Sequence, residues 1–252
     1  MKRISASITL FTRLPLWRWI KIPAESYSSA VVYWPLTGWL TGSVMACCIL
    51  IFSMILPVSV SVVLAVIARL LMTGALHEDG LADFCDGFGG GKDKESILRI
   101  MKDSSTGAYG VIGLVSYFLL LWCLLTAMPP FYSALAIFGS DAFSKCCASQ
   151  LTNLLPYARP EGAKNRISYA GMNFSQIMIN IITGILPFSF LVYFMPWSAI
   201  ALILPVSLLL FISMYLRKKI GGYTGDCCGA TFLICEVALI TGIVMVFKTV
   251  GF

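Results

Sequence analysis

Seven apolar runs, at about 32–56, 58–76, 108–128, 131–152, 177–195, 197–216 and 228–247, leave this chain little choice of environment. About 20 consecutive apolar residues span the hydrocarbon layer of a bilayer as a helix, because no water is present there to take a backbone N–H or C=O. Of the 252 residues, 58% are hydrophobic and only 12% are charged. That charged share is about half that of a soluble domain, too little to cover a folded surface. A soluble enzyme, a disordered tail and a secreted disulfide scaffold are therefore excluded. The nine cysteines include three adjacent pairs and no CxxC, which argues against a disulfide framework or a zinc site. The expected fold is all-α: a polytopic membrane helix bundle of about seven transmembrane helices, forming a single integral membrane domain over residues 1–252.

The breaks between runs are of two kinds. Three are short, uncharged and contain proline: Leu56-Pro57-Val58, Met128-Pro129-Pro130-Phe131 and Met195-Pro196-Trp197. The others, 77–107, 153–176 and 217–227, are long and polar. Lys92, Lys94, Arg99, Lys102, Arg159, Lys164, Arg166, Arg217, Lys218 and Lys219 all lie in the long breaks, and five more basic residues precede the first run. Basic residues stay in the cytoplasm, so the long loops are expected there, with the N-terminus inside and the C-terminus outside. Ile4, Ile8 and Phe11 share one helical face beside Lys2, Arg3 and Arg13, the pattern of a short helix lying in the membrane interface. The net charge of +6 is thereby read as topology and lipid contact, not as nucleic-acid binding.

The first long loop concentrates the chemistry. It holds seven of the twelve acidic residues. Asp79, Asp83 and Asp86 are spaced i, i+4, i+7, which places three carboxylates on one helical face. Like charges so placed repel unless a cation lies among them, and oxygen-only ligands suit Mg²⁺ or Mn²⁺, with phosphate as the usual further ligand. Gly87-Phe88-Gly89-Gly90-Gly91 follows, where backbone amides can approach an anion. Glu78 points about 100° away from Asp79 on a helix and is expected to matter little. His77, the only histidine, stands beside the first aspartate, where it can touch phosphate, metal or nucleophile or serve as a structural residue. Arg159 suits a phosphate. Gly221-Gly222-Tyr223-Thr224-Gly225-Asp226 is a second glycine-rich turn with a carboxylate, opening the last helix.

Four charges fall inside apolar runs. Arg69 and Glu236 either wall the site or reach back to the cytoplasmic boundary. Asp141 and Lys145 are four apart and either meet on one helix face, as ions that lower each other's insertion cost, or stand apart, with Lys145 reaching a cytoplasmic phosphate and Asp141 facing a polar gap.

The segment 74–110, GALHEDGLADFCDGFGGGKDKESILRIMKDSSTGAYG, closely resembles the signature of the cobalamin synthase family. Thr12-Arg13-Leu14-Pro15, Pro35-Leu36-Thr37-Gly38, Tyr157-Ala158-Arg159 and the 221–226 turn with Gly229 and Glu236 are similar to its other motifs, in the same order along nearly the whole chain. The resemblance implies a Mg²⁺-dependent phosphotransferase of the bacterial or archaeal inner membrane with a cytoplasmic active site. Its substrates would be adenosylcobinamide-GDP and α-ribazole or its 5′-phosphate, with GMP released. It carries over His77, Asp79, Gly80, Asp83, Asp86, Lys102, Asp103, Gly107, Gly110, Arg159, Gly225, Asp226 and Glu236. Asp79, Asp83 and Asp86 would hold Mg²⁺. Asp103 would complete the shell or accept the hydroxyl proton, with His77 as a second base. Lys102, Arg159 and Lys218 would hold the GDP moiety, with Gly225 and Asp226 also against substrate. Membrane lipid is an expected partner, a homo-oligomer or a complex with other cobalamin-assembly enzymes is left open, and nucleic acid is not expected. A phosphotransferase of the CDP-alcohol type shares only the opening Asp83-Phe84-Cys85-Asp86-Gly87. A cation transporter would need acidic residues in the middle of several helices, and Asp141 is the one candidate.

Overall fold

Helices follow from the apolar runs because a backbone in lipid satisfies its polar groups only within its own segment. The computed structural model describes residues 2–159 and 171–250. The helices are α1 (Lys2–Phe11), α2 (Trp34–Phe52, entered through a 3₁₀ segment Ala24–Tyr33), α3 (Val58–Thr73), α4 (Leu76–Gly90), α5 (Lys94–Ile100), α6 (Ala108–Thr126), α7 (Pro130–Ser149), the single turn α8 (Leu151–Leu154), α9 (Phe174–Phe194), α10 (Ile203–Ile220) and α11 (Gly225–Val250). Among the described residues five helices are long and apolar enough to cross a membrane, or up to six if the bent pair α3–α4 is one span. Lys164 and Arg166, placed on the cytoplasmic side by their charge, lie outside the described residues.

The proline breaks form the expected hairpin turns. Pro57 and Pro129 take the N-cap positions of α3 and α7, where a missing N–H costs nothing. In the second turn Ser133 Oγ donates to the carbonyl oxygen of Leu125 at 2.6 Å. α1 ends the N-terminal arm and packs on the 3₁₀ segment and α2. Ser5, Ala6 and Ser7 are its buried positions along with Phe11, whereas Lys2 and Arg3 are exposed.

α7 is the central helix, packed against α2, α9 and α11. Fifteen of its residues are buried. Its composition explains this place: serine, alanine and glycine let neighbours approach closely. The small face also carries Asp141 and Lys145, both fully buried. Lys145 Nζ contacts Asp141 Oδ1 and donates to Thr41 Oγ1 of α2 at 2.7 Å. The Thr41 hydroxyl is 3.0 Å from each Asp141 oxygen.

A second ion pair joins this one. Arg69 of α3 donates to Glu236 of α11 at 2.6 Å, contacts the Tyr117 hydroxyl of α6, and lies 3.7 Å from Asp141. Tyr117 donates to the other Glu236 oxygen at 2.7 Å. The reading in which Arg69 and Glu236 reach back to the membrane boundary does not hold. Both are 0% exposed, and Glu236 stands 11 residues, roughly 16 Å, along α11. Arg69 and Lys145 facing Glu236 and Asp141 tie five helices together, and both mid-bundle carboxylates are occupied by protein cations.

Removing one ion of such a cluster strands its partner, at a cost of about 3–5 kcal/mol, whereas removing both is far milder. Asp141→Ala and Lys145→Ala should each lower the thermal midpoint in detergent more than the double replacement does. Additive losses in the double variant would show that the two side chains act independently.

Candidate active site

The site begins with a bend. α3 ends at Gly74, with φ 68°, and Ala75 follows with φ 57°. Two successive left-handed residues turn the chain by 92°, so α4 lies across the end of the bundle, over the first turns of α6 and α11. Alanine in this region costs roughly 1–2 kcal/mol, so surrounding contacts must hold the bend. The N-terminal arm supplies one. The Arg13 amide donates to the Met72 carbonyl at 2.7 Å, and the Arg13 side chain lies against Gly74 where a β-carbon would project. This is the structural role of Thr12-Arg13-Leu14-Pro15.

α4 crosses α11 at two glycines. A β-carbon on Gly80 would come within 3.1 Å of the Asp226 backbone, and one on Gly229 within 3.2 Å of the His77 carbonyl oxygen. The close crossing brings Asp226 against the α4 carboxylates. Burial, then Asp226, Asp79 and Asp86 in turn, push Asp83 up to about 6, opposed by Arg159.

Arg159 is positioned by the middle loop. The Ala158 amide donates to the Tyr223 carbonyl at 2.8 Å, and the Tyr223 amide to the Pro156 carbonyl at 2.9 Å. Gly222 permits this pairing, since a β-carbon there would meet the Pro156 carbonyl oxygen. The result is an ion pair of 3.2 Å between Arg159 and Asp226. Among the described residues Arg159 Nε has no hydrogen-bond partner.

Three carboxylates expected to act together behave differently. Asp79 is exposed and Asp83 half-buried. Asp86 is buried and accepts from the amides of Gly107 (2.7 Å) and Gly110 (2.9 Å). It therefore caps the free N–H groups at the start of α6. Among the described residues no three acidic, histidine or cysteine side chains stand close enough to hold a metal ion as placed. The donor chemistry nevertheless fits a hard divalent cation: Asp79, Asp83 and Asp226 offer only oxygens, and Asp83 is crowded by like charge with one opposing cation.

His77 is 2% exposed and lies among Phe11, Trp34 and Phe232, with ring centroids 6.2, 5.4 and 5.0 Å away. With Asp79, Gly225 and Asp226 it lines a cavity of about 140 Å³. Lys102 and Asp103 stay exposed in the turn after α5, and Lys218 is exposed in the last turn of α10. Asp103 accepts from the amide (3.0 Å) and hydroxyl (2.8 Å) of Ser105, which hold its carboxyl below the usual range. The structure thus gathers His77, Asp79, Asp83, Arg159, Gly225 and Asp226, sets Asp86 behind them as a cap, and leaves Lys102, Asp103 and Lys218 on separate exposed turns. Glu78, expected to matter little, is 3% exposed and 3.7 Å from Arg69. It faces the buried cluster, so its replacement is not a neutral comparison. Trp34, Tyr117 and Thr41 had no signal in the spacing, because each meets its partners only across helices, and the spacing that put Phe11 on a membrane-facing stripe did not show its stacking on Trp34.

Two carboxylates of one face should respond oppositely to removal. Asp86→Ala should lower stability by about 1–2 kcal/mol as a lost cap. Asp83 is raised above its unfolded value of 3.8, so its charge opposes folding above about pH 6, and that penalty disappears as pH falls below the unfolded value. Asp83→Asn should therefore raise the thermal midpoint at pH 8 in chelator and leave it nearly unchanged near pH 4. A thermal scan at both pH values checks this, and a drop at pH 8 would contradict it.

Residues 3–244 match the family described as Cobalamin-5-phosphate synthase. A protein of Shewanella sp. (strain W3-18-1) named adenosylcobinamide-GDP ribazoletransferase is 36% identical over 232 residues, covering 90% of this chain and 87% of that protein. One of the same name from Leptospira biflexa serovar Patoc is 32% identical over 266 residues, covering 95% of this chain and 96% of its own length. No solved structure matches. The chain belongs to the cobalamin-5-phosphate synthase family.

Proposed function

We propose that this chain is an adenosylcobinamide-GDP ribazoletransferase of the inner membrane, acting at its cytoplasmic face as a Mg²⁺-dependent phosphotransferase. A ribose hydroxyl of α-ribazole or its 5′-phosphate attacks the pyrophosphate of adenosylcobinamide-GDP. One P–O bond forms, the bond to GMP breaks, GMP leaves with the electron pair, and the hydroxyl proton passes to a base. The observation that carries this reading is the convergence of Asp79, Asp83 and Asp226, with Arg159, beside one cavity at the basic end of the bundle. A pyrophosphate and its leaving group bring negative charge that needs such neutralisation.

Asp79, Asp83 and Asp226 would hold the Mg²⁺, which supplies charge neutralisation for the pyrophosphate when bound. Asp86 steadies them from behind by holding the start of α6. Arg159 has its Nε to offer a phosphate oxygen, and Lys102 and Lys218, exposed on other turns, would meet the nucleotide only outside the cavity. Of the two candidate proton acceptors His77 is the one that shares the cavity with Asp79, while burial, Lys145 and Arg69 hold its imidazole well below the usual range and Ser105 likewise makes the Asp103 carboxylate a weaker base. Chemistry at this end lets charged substrates stay in water while the helices below exclude it.

Asp83→Asn and Asp226→Asn should each reduce GMP release at least about 100-fold at limiting Mg²⁺, since each removes an anionic oxygen from a hard cation. Glu95→Gln, at an exposed position, should keep near-normal turnover. Near-normal turnover in both Asn variants would sink the metal assignment. For sidedness, Lys94→Cys in a chain stripped of its own cysteines should resist an impermeant thiol reagent in intact cells and react in inverted vesicles. Labelling in intact cells would reverse the orientation.

A further inference from the structure

The cavity beside the carboxylates has a second wall that the phosphate chemistry does not use. Phe11, Val31, Trp34 and Leu76 form it, in the same cavity as Asp79 and Asp226. Phe11 and Trp34 stack at 4.6 Å with 15° between planes. Both are at most 6% exposed. Among the described residues the buried Trp34 Nε1 has no hydrogen-bond partner, a costly state for a donor unless a ligand accepts from it. The wall comes wholly from the N-terminal third of the chain and the first turn of α4. A β-carbon on Gly225, at the cavity edge, would meet no atom within 4 Å.

Resting on the functional reading above, we propose that this wall binds the flat, uncharged aromatic base of the acceptor nucleoside, so that Phe11, Val31 and Trp34 decide which acceptor is used. The volume of about 140 Å³ suits one bicyclic heterocycle and is far too small for a corrin macrocycle. The base of α-ribazole, a benzimidazole, carries one free ring nitrogen, an acceptor, and otherwise apolar edges. One unpaired indole N–H among Phe11, Val31 and Leu76 answers that pattern. Guanine fits poorly: its amide edge and amino group need several partners, and each one left unmade is costly. A ribose hanging from a base seated here emerges beside Asp79 and Asp226, where its hydroxyl must react. The N-terminal arm is thereby part of the acceptor site, held to the bend by the hydrogen bond from Arg13 to Met72.

The test uses the full-length protein in detergent micelles, with α-ribazole and adenosylcobinamide-GDP varied separately. Trp34→Phe keeps the ring and removes the N–H; Gly225→Val fills open space. Each should raise KM for α-ribazole about tenfold, the equivalent of about 1.4 kcal/mol, and leave KM for adenosylcobinamide-GDP within about twofold. A rise confined to the GDP substrate, or no rise in either KM, would overturn the proposal. Binding is read independently of turnover. α-Ribazole alone, without Mg²⁺, should quench tryptophan fluorescence saturably in the unaltered protein, with the Trp34 component missing in Trp34→Phe. Quenching of that component by GMP but not by α-ribazole would overturn it as well. Absence of product from the unaltered protein would instead count against the functional reading, and the quench would still decide what the pocket holds.

Discussion

The ion cluster of Arg69, Glu236, Asp141 and Lys145 is the constraint on which the remaining architecture depends. A single charge in the hydrocarbon region is expensive, about 2.5–3.5 kcal/mol on insertion scales. Four can stay only if their helices meet in one arrangement. That arrangement brings α3, α6, α7 and α11 to a common point, and Thr41 adds α2. Apolar packing alone tolerates sliding and rotation between helices in lipid, because lipid tails are as apolar as leucine. A salt bridge of 2.6 Å between Arg69 and Glu236 does not. Phe232 completes the cluster, with Lys145 Nζ 4.5 Å and the Arg69 guanidinium 5.9 Å from its ring centroid.

The catalytic end is mounted directly on this cluster. Arg69 precedes the bend at Gly74 and Ala75, and Glu78 reaches back to Arg69 from the first turn of α4. His77, the adjacent residue, packs nearly perpendicular to the same Phe232 ring, 5.0 Å between centroids. A membrane-buried charge network and a surface site therefore share one short stretch of chain. The strained Ala75 conformation persists because contacts on either side over-determine it: the Arg13 arm outside, the ion cluster inside.

Asp86 shows how one residue type serves two ends within a single motif. Its spacing from Asp79 and Asp83 is that of a third ligand, yet two backbone amides of the α6 start have occupied its oxygens. Asp226, from the far end of the chain, stands in its place beside Asp83. Carboxylates gathered from α4 and α11 couple the first long loop to the last, and the Arg159 loop, paired with Tyr223, adjoins them. All three long polar loops thus contribute to one site, as expected if they lie on one side of the membrane.

The sequence by itself determined the class of fold, the hairpin turns and the stretch that carries the chemistry. These are written in local signals: the length of an apolar run, a proline in an uncharged break, carboxylates at helical spacing, and a long motif shared with a family. It also singled out Arg69, Asp141, Lys145 and Glu236 as charges needing an explanation, since their cost depends only on depth. What those charges meet was decided by tertiary structure alone. Asp141 and Lys145 are neighbours on one helix, but Arg69 and Glu236 are 167 residues apart, and no local pattern links them. The capping of α6 by Asp86, the approach of Asp226 to Asp83, the burial of Glu78, and the assembly of Phe11 and Trp34 around His77 are likewise consequences of helix crossing. Helical spacing says which residues share a face; only packing says what that face touches.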